Sequence, residues 1–307
     1  MIISIKQPLS YSHIGRKENQ EDAIYPPEGE ATYLNRFFVL CDGMGGHNNG
    51  EVASSLVCET LGKFFSTHPL KGGFLSEELF KQGLSAAYRA LDKHDDGSYK
   101  KMGTTLTFIY LHRGGCLAAH IGDSRIYHIR PEKGLMYQSS DHSLVNELLR
   151  IGEITPEEAL HHPQRNVITR AMQPHLDQRY KAEIHQLTDI QQGDYLFLCS
   201  DGVLEQLTNE KLVAILSNAS LSDEQKKEAL EQISLDKTRD NFTAYLVPIN
   251  QVVSEENDYK AGKGDQIVAK VAYESTPNSK KNSKLKSFIK SLCNYKKERS
   301  SKEESTR

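Results

Sequence analysis

A mixed α and β domain over residues 1–249, followed by a polar linker and a basic tail, is the organisation this 307-residue sequence predicts. Three kinds of pattern carry that reading. Near-continuous apolar runs read as strands buried on both faces. A glycine pair between two such runs reads as a hairpin. Apolar residues recurring every three or four positions read as helices with one buried face. With 37% hydrophobic and 26% charged residues, the composition is that of an ordinary globular chain able to bury a sizeable core.

In chain order, "RFFVLCD" (36–42) is the first strongly apolar strand. Apolar positions from Glu51 to Phe65 form a helical stripe, and "GHNNGE" (46–51) reads as its cap, since Asn is a good N-cap. Residues 76–93 repeat the helical pattern with Leu79, Leu84, Ala87, Tyr88 and Leu91. "TTLTFIYLH" and "CLAAHIGDSRIYHIR" flank Gly114-Gly115 as a hairpin. Residues 142–172 read as a surface flap of short helices broken by Gly152, Pro156 and Pro163, with Asp141 as a helix cap. "DYLFLCSD" (194–201) is a second buried strand, "SDEQ" (222–225) a capping box opening a helix through Ile233, and "FTAYLVPI" (242–249) the last strand. The domain boundary falls near Asn250.

Several classes are disfavoured. Apolar runs reach only about five residues against the roughly 20 of a membrane span, and the N-terminus has neither a charged region nor an apolar core of a secretory leader. The five cysteines (41, 58, 116, 199 and 293) are scattered, which speaks against a disulfide framework or a zinc site and for a reducing, cytoplasmic setting. Cys41 and Cys199 read as small core residues. Residues 276–299 hold eight Lys or Arg against one acid, so the rest of a chain of net charge −3 is acidic, a poor match for nucleic acid. Leu285, Phe288, Ile289 and Leu292 lie among these lysines at helical spacing. A solvated tail is the favoured reading there; a short basic amphipathic helix over 283–297, touching a membrane surface or an acidic partner, is the other.

The chemistry-bearing pattern is acidic. "FFVLCDGMGG" and "YLFLCSDGVL" each drive an apolar strand through a cysteine into Asp-Gly, at Asp42-Gly43 and Asp201-Gly202. A lone Asp-Gly is usually a turn. Two carboxylates at the ends of buried strands are costly unless paired or metal-bound. Asp123 in "HIGDSR", Asp240 in "RDNF" and Glu21-Asp22 in "NQEDAIY" sit at comparable places. Gathered carboxylates need cations, and oxygen-only donors favour Mg²⁺ or Mn²⁺. Each glycine allows a tight backbone turn, and its carbonyl can serve as a ligand.

These residues resemble the metal-dependent PPM, or PP2C-type, Ser/Thr protein phosphatases. The matching segments are "NQEDA", "CDGMGGHNNGEVAS", "MGTTLT", "IGDSRIY", "SSDHSLV", "NVITRAM", "GDYLFLCSDGV" and "RDNFTAYLV", in the family's order over residues 19–247. The resemblance, closer to the bacterial branch, implies an α+β fold: a four-layer α-β-β-α sandwich of two stacked, mainly antiparallel sheets flanked by helices. It implies that Asp42 bridges two ions with the Gly43 carbonyl completing one shell, and that Asp201 and Asp240 bind the first ion. Glu21 and Asp22 act on the second, and Asp123 with Asp201 on a third. A hydroxide bridging ions about 3.5–4 Å apart then attacks phosphorus in line, without a phospho-enzyme.

Two departures stand out. The family's phosphate-gripping Arg corresponds to Lys17 by one spacing and to Arg16 by another, and the sequence leaves the choice open. Where some relatives have His after the first Asp-Gly, this chain has Met44, which leaves a metal-bound water as the preferred proton donor and His47 as the weaker candidate. The resulting expectation is a monomeric, cytoplasmic phosphatase acting on phosphoserine and phosphothreonine of proteins, opposing a Ser/Thr kinase. The rival readings are a catalytically weak regulatory module of the same fold and a phosphatase of small metabolites.

Overall fold

Strand and helix alternate in an order set by where apolar side chains fall. The computed structural model describes residues 1–45, 49–95 and 102–253. The chain opens with β1 (Ile2–Ile5), β2 (Leu9–His13), β3 (Asp22–Tyr25) and β4 (Phe37–Met44), then helices α1 (Asn49–Thr67) and α2 (Glu77–His94). A run of strands follows: β5 (Gly103–Thr104), β6 (Leu106–His112), β7 (Gly115–Ile121), β8 (Arg125–Arg130) and β9 (Gly134–Gln138). The flap holds α3 (Leu144–Ile151) and α4 (Pro156–Leu160). The last part comprises β10 (Glu183–Leu187), β11 (Tyr195–Cys199), α5 (Asp201–Leu204), α6 (Asn209–Leu216), α7 (Asp223–Ser234) and β12 (Phe242–Val253).

Two antiparallel sheets result. One runs β1-β12-β11-β8-β9, with β2 also on β12; the other runs β10-β7-β6-β4-β3, with β5 also on β4. Side-chain alternation along each strand explains the layers. In β4, Phe38 and Leu40 point into a core shared with Ile126, Leu196, Leu198 and Tyr245 of the other sheet. The intervening Val39 and Cys41 pack instead against Val57, Leu61, Phe80 and Leu84 of α1 and α2. On the opposite outer face, Phe197 and Cys199 of β11 pack on Ile215 of α6 and on Leu230 and Ile233 of α7. Helix, sheet, sheet and helix thus stack as the resemblance implied. An apolar run is two-faced here because every strand at the centre has a neighbour layer on both sides.

Helix α7 begins in the capping box read from the sequence, with Ser222 and Gln225 each bonding the other's backbone N–H; such caps stabilise by about 1 kcal/mol. Asp141 does not cap the flap helix. Ser143 does, its hydroxyl accepting from Asn146 N. The final strand runs past Asn250 to Val253, because β1 pairs with that extension, Ile2 opposite Val253. Cys41, Cys58, Cys116 and Cys199 are buried free thiols. No helix among the described residues is long and apolar enough to cross a membrane. His47, Cys293 and the proposed helix at 283–297 lie outside the described residues.

Candidate metal centre

The antiparallel register of β3 on β4 sets Asp22 directly opposite Asp42, an arrangement that costs stability for like charges on neighbouring strands. Asp42 is not at a strand end, because β4 continues through Met44 and pairs with β5. Its backbone is pinned on both sides: its N–H donates to Thr105 Oγ1 at 2.9 Å, and its carbonyl accepts from Thr105 N at 2.8 Å. Asp201 has a different setting. It follows β11 as the first residue of α5 with Ser200 as N-cap. The two Asp-Gly pairs therefore use different local structures to reach one place.

The glycines explain themselves by close approach. A Cβ on Gly43 would lie 2.1 Å from the Gly50 carbonyl oxygen, and one on Gly202 would lie 2.0 Å from that of Asn241. Neither has a left-handed backbone, so the tight-turn reading is replaced by close contact between segments.

Asp123 sits in the turn between β7 and β8, beside Ser124, whose hydroxyl bonds Thr105 Oγ1 at 2.8 Å. Asp240 precedes β12. The backbone N–H of Glu21 donates to Asn241 Oδ1 at 2.8 Å, and its carbonyl accepts from Gly43 N at 3.0 Å. The carboxyl groups of Asp42 and Asp201 lie close enough to act on each other's titration. Asp42 also feels the charges of Asp22, Asp123 and Asp240. The structure thus gathers Asp22, Asp42, Asp123, Asp201 and Asp240, with Gly43 and Glu21 at their border.

Electrostatically this is an unfinished site. Burial, then the neighbouring carboxylates, pushes Asp42 well above the usual range. Burial also raises Asp22 and Asp123, each with further upward pressure from Asp201. Asp201 itself is raised by burial and by Asp240. Two oxygens, Asp22 Oδ1 and Asp123 Oδ1, are buried without a hydrogen-bond partner. Orphaned anionic oxygens with no nitrogen or sulfur donor among them suit hard divalent ions, so the donor set fits Mg²⁺ or Mn²⁺. The residues that would hold them are Asp42, Asp201, Asp240, Asp22 and Asp123, with the Gly43 carbonyl and Glu21.

Of the two candidate phosphate grippers, Lys17 faces the centre. Its Nζ lies 2.9 Å from Asp240 Oδ1, and it feels Glu21 and Asp42 as well. Arg16 turns away and donates to the Asp236 carbonyl at 3.1 Å. Lysine offers a point charge, without the bidentate fork of arginine.

Four residues not singled out in the sequence shape the site. Ser200 Oγ donates to Asp22 Oδ2 at 2.8 Å. Thr105 holds the Asp42 N–H. Asn241 ties the 14–21 segment to β12, its Nδ2 donating to the carbonyls of Ile14 and Asn19, both at 2.9 Å. Glu205 accepts from Arg239 N and Asp240 N. Each lies in a quoted motif or one turn from one, and sequence gives no sign of which hydroxyl or amide faces inward. Arg125 forks onto Asp141 at 2.7 and 2.6 Å, tying the start of the flap to β8.

A second cluster, His120, His142 and Glu183, brings three donor groups within 4.8 Å. It does not fit an ion. The two rings stack at 4.7 Å with planes only 9° apart, whereas a metal must lie in the plane of every imidazole that binds it. His142 Nδ1 also accepts from Gly122 N at 3.1 Å, which puts the ring proton on Nε2, beside Glu183. These histidines hold the flap: His142 N donates to the Gly122 carbonyl at 2.9 Å, one residue from Asp123.

Fold and site together define a phosphatase whose acidic centre lies where the two sheets meet. The protein phosphatase 2C family profile matches residues 10–235, and the chain belongs to that family. Protein phosphatase PhpP of Streptococcus pneumoniae is 36% identical over 73% of this chain and 91% of its own. Among solved structures, Stp1 of Staphylococcus aureus is 30% identical, superposes with a TM-score of 0.69, and matches over 83% of this chain and 96% of its own. The catalytic domain of the serine/threonine phosphatase PstP in complex with two manganese ions is 28% identical with a TM-score of 0.64, over 81% of this chain and all of its own. This protein is accordingly a metal-dependent Ser/Thr protein phosphatase.

Proposed function

We propose that this chain hydrolyses phosphoserine and phosphothreonine in proteins at a two-ion centre built on Asp42 and Asp201, with Lys17 gripping the phosphoryl group. The observation that carries the reading is the gathering of buried carboxyls around Asp42, with Asp22 directly opposite it in the sheet, Asp22 Oδ1 and Asp123 Oδ1 buried and unpartnered, and Asp201 close enough to act on Asp42. Divalent ions held there would supply hydroxide at neutral pH and neutralise phosphoryl oxygens. Asp42 and Asp201 orient that charge from a rigid strand and from a helix start. Asp240 holds the Lys17 ammonium at the edge of the centre, from where it can turn to a phosphoryl oxygen. Thr105, Ser200 and Asn241 fix the carboxylates and the 14–21 segment so that the site does not rearrange as charge develops. Met44 carries no proton to give, so it takes no part in protonating the leaving alkoxide.

A third ion at Asp123, a cytoplasmic setting, a monomeric state and the opposition of a Ser/Thr kinase belong to the same proposal. PstP with its two manganese ions supports the ion count; which of Mg²⁺ or Mn²⁺ serves is decided by the same assay. Release of phosphate from phosphothreonine peptides should require a divalent ion and stop with chelator. Hydrolysis of sugar phosphates at a comparable kcat/KM, or peptide hydrolysis indifferent to chelator, would overturn the reading.

A further inference from the structure

Catalysis leaves one feature of the sequence unused. The basic segment 280–299 carries Leu285, Phe288, Ile289 and Leu292 at helical spacing among its lysines and lies outside the described residues. The described domain has a groove whose chemistry mirrors it. A cavity of about 610 Å³ opens between the start of β2 and α7. Apolar Pro8, Leu9 and Ala31 line it together with polar Gln7, Ser10 and Gln232, and its rim carries the exposed carboxylates of Glu28, Glu224 and Glu228. The lysine on this rim, Lys227, is committed to Glu231 at 2.8 Å. None of Glu28, Glu224 and Glu228 has an ion pair with another described residue.

We propose that residues 284–297 of the same chain dock in this groove, the apolar stripe on Pro8, Leu9 and Ala31 and the lysines on the three rim carboxylates. Reach supports this occupant. Leu9 pairs with Leu246, and the described chain ends at Val253 on the same strand, about 23 Å away at strand spacing. A coil of the length of the connecting stretch 254–283 has a root-mean-square span of about 30 Å. A tether that matches its span presents the segment at an effective concentration on the order of millimolar. Four apolar residues seat only marginally on a lipid surface by comparison.

Zero-length carbodiimide coupling of the full chain, read by peptide mass spectrometry, tests the contact. Lysines of 284–297 should couple to Glu28, Glu224 and Glu228 well above exposed acids elsewhere such as Glu59 and Glu78. The yield should not change when the protein is diluted, and high salt should reduce it. The Leu285→Ser/Phe288→Ser chain, altered only outside the domain, should lose the preference. Coupling spread evenly over the surface, coupling that falls on dilution, or a preference that survives the double substitution overturns the proposal. So does loss of the groove couplings in favour of sedimentation with phosphatidylserine vesicles at physiological salt.

Discussion

Strand β11 has an aspartate at each end, and the fold treats the two in opposite ways. Asp194, before the strand, is 1% exposed. Its carboxylate accepts from Arg130 Nε and Nη2, both at 2.9 Å, from His128 Nε2 at 2.7 Å and from Gln191 N at 2.8 Å. Burial alone would raise its pKa, but the bonds from His128, Arg130 and Gln191 outweigh it and hold the carboxyl below its usual range. Asp201, after the strand, has carboxylates for neighbours and is pushed up by burial and by Asp240. At this end Lys17 is held by Asp240 and Arg125 by Asp141. One end of the sandwich carries its own counter-cations. The other leaves several carboxylates without them, and that deficit is the physical basis for its dependence on added divalent ions.

Neutralising substitutions should separate the two ends sharply. Asp42→Asn should lower phosphopeptide kcat/KM by at least about 100-fold. In the metal-free protein the same change relieves repulsion, so the melting temperature in chelator should rise. Asp194→Asn should do the reverse. It leaves Arg130 buried without its main partner, a loss of about 3–5 kcal/mol in denaturant unfolding, while the folded fraction keeps its kcat/KM.

A smaller effect is expected at the phosphate gripper. Lys17→Ala should raise KM for phosphopeptide about tenfold, the loss of one charged contact, whereas Arg16→Ala should change it less than about twofold, the scale of an exposed surface contact. Equal effects from both would show that the 14–17 turn rearranges when substrate binds.

The smallest concerns pH. Because the Asp194 pKa is depressed, its stabilisation is present above the unfolded value, near 3.9, and is lost as pH falls through the folded value. Urea midpoints should therefore drop on acidification below about pH 4 in the parent chain, and less so in Asp194→Asn.

How far could the sequence be read? The buried strands β4 and β11, the hairpin of β6 and β7, helices α1, α2 and α7 and the ordered motif set were all legible, because apolar periodicity and capping residues announce them. The acids at 22, 42, 123, 201 and 240 were legible too, since a carboxylate at a buried strand is costly enough to demand a reason. Strands β9 and β10 went unread: GLMYQ and EIHQL are half-exposed and lack the apolar run. The roles of Arg16 and Lys17 depend on which way one turn points, and two adjacent cations carry no sign of that. Asp141 was read as a cap because Asp is a good cap; its partner Arg125 lies 16 positions away, beyond any local rule. The two glycines after Asp42 and Asp201 were read as turn formers, because close approach by a distant backbone leaves no mark in the local sequence.

Calorimetric titration of Mn²⁺ into chelator-stripped protein tests the central claim most directly. Two ions per chain should bind tightly and saturably, with the third at Asp123 weaker, and the tight uptake should be weakened in Asp42→Asn and retained in Asp194→Asn. No saturable uptake, or uptake that Asp42→Asn leaves unchanged, would contradict it.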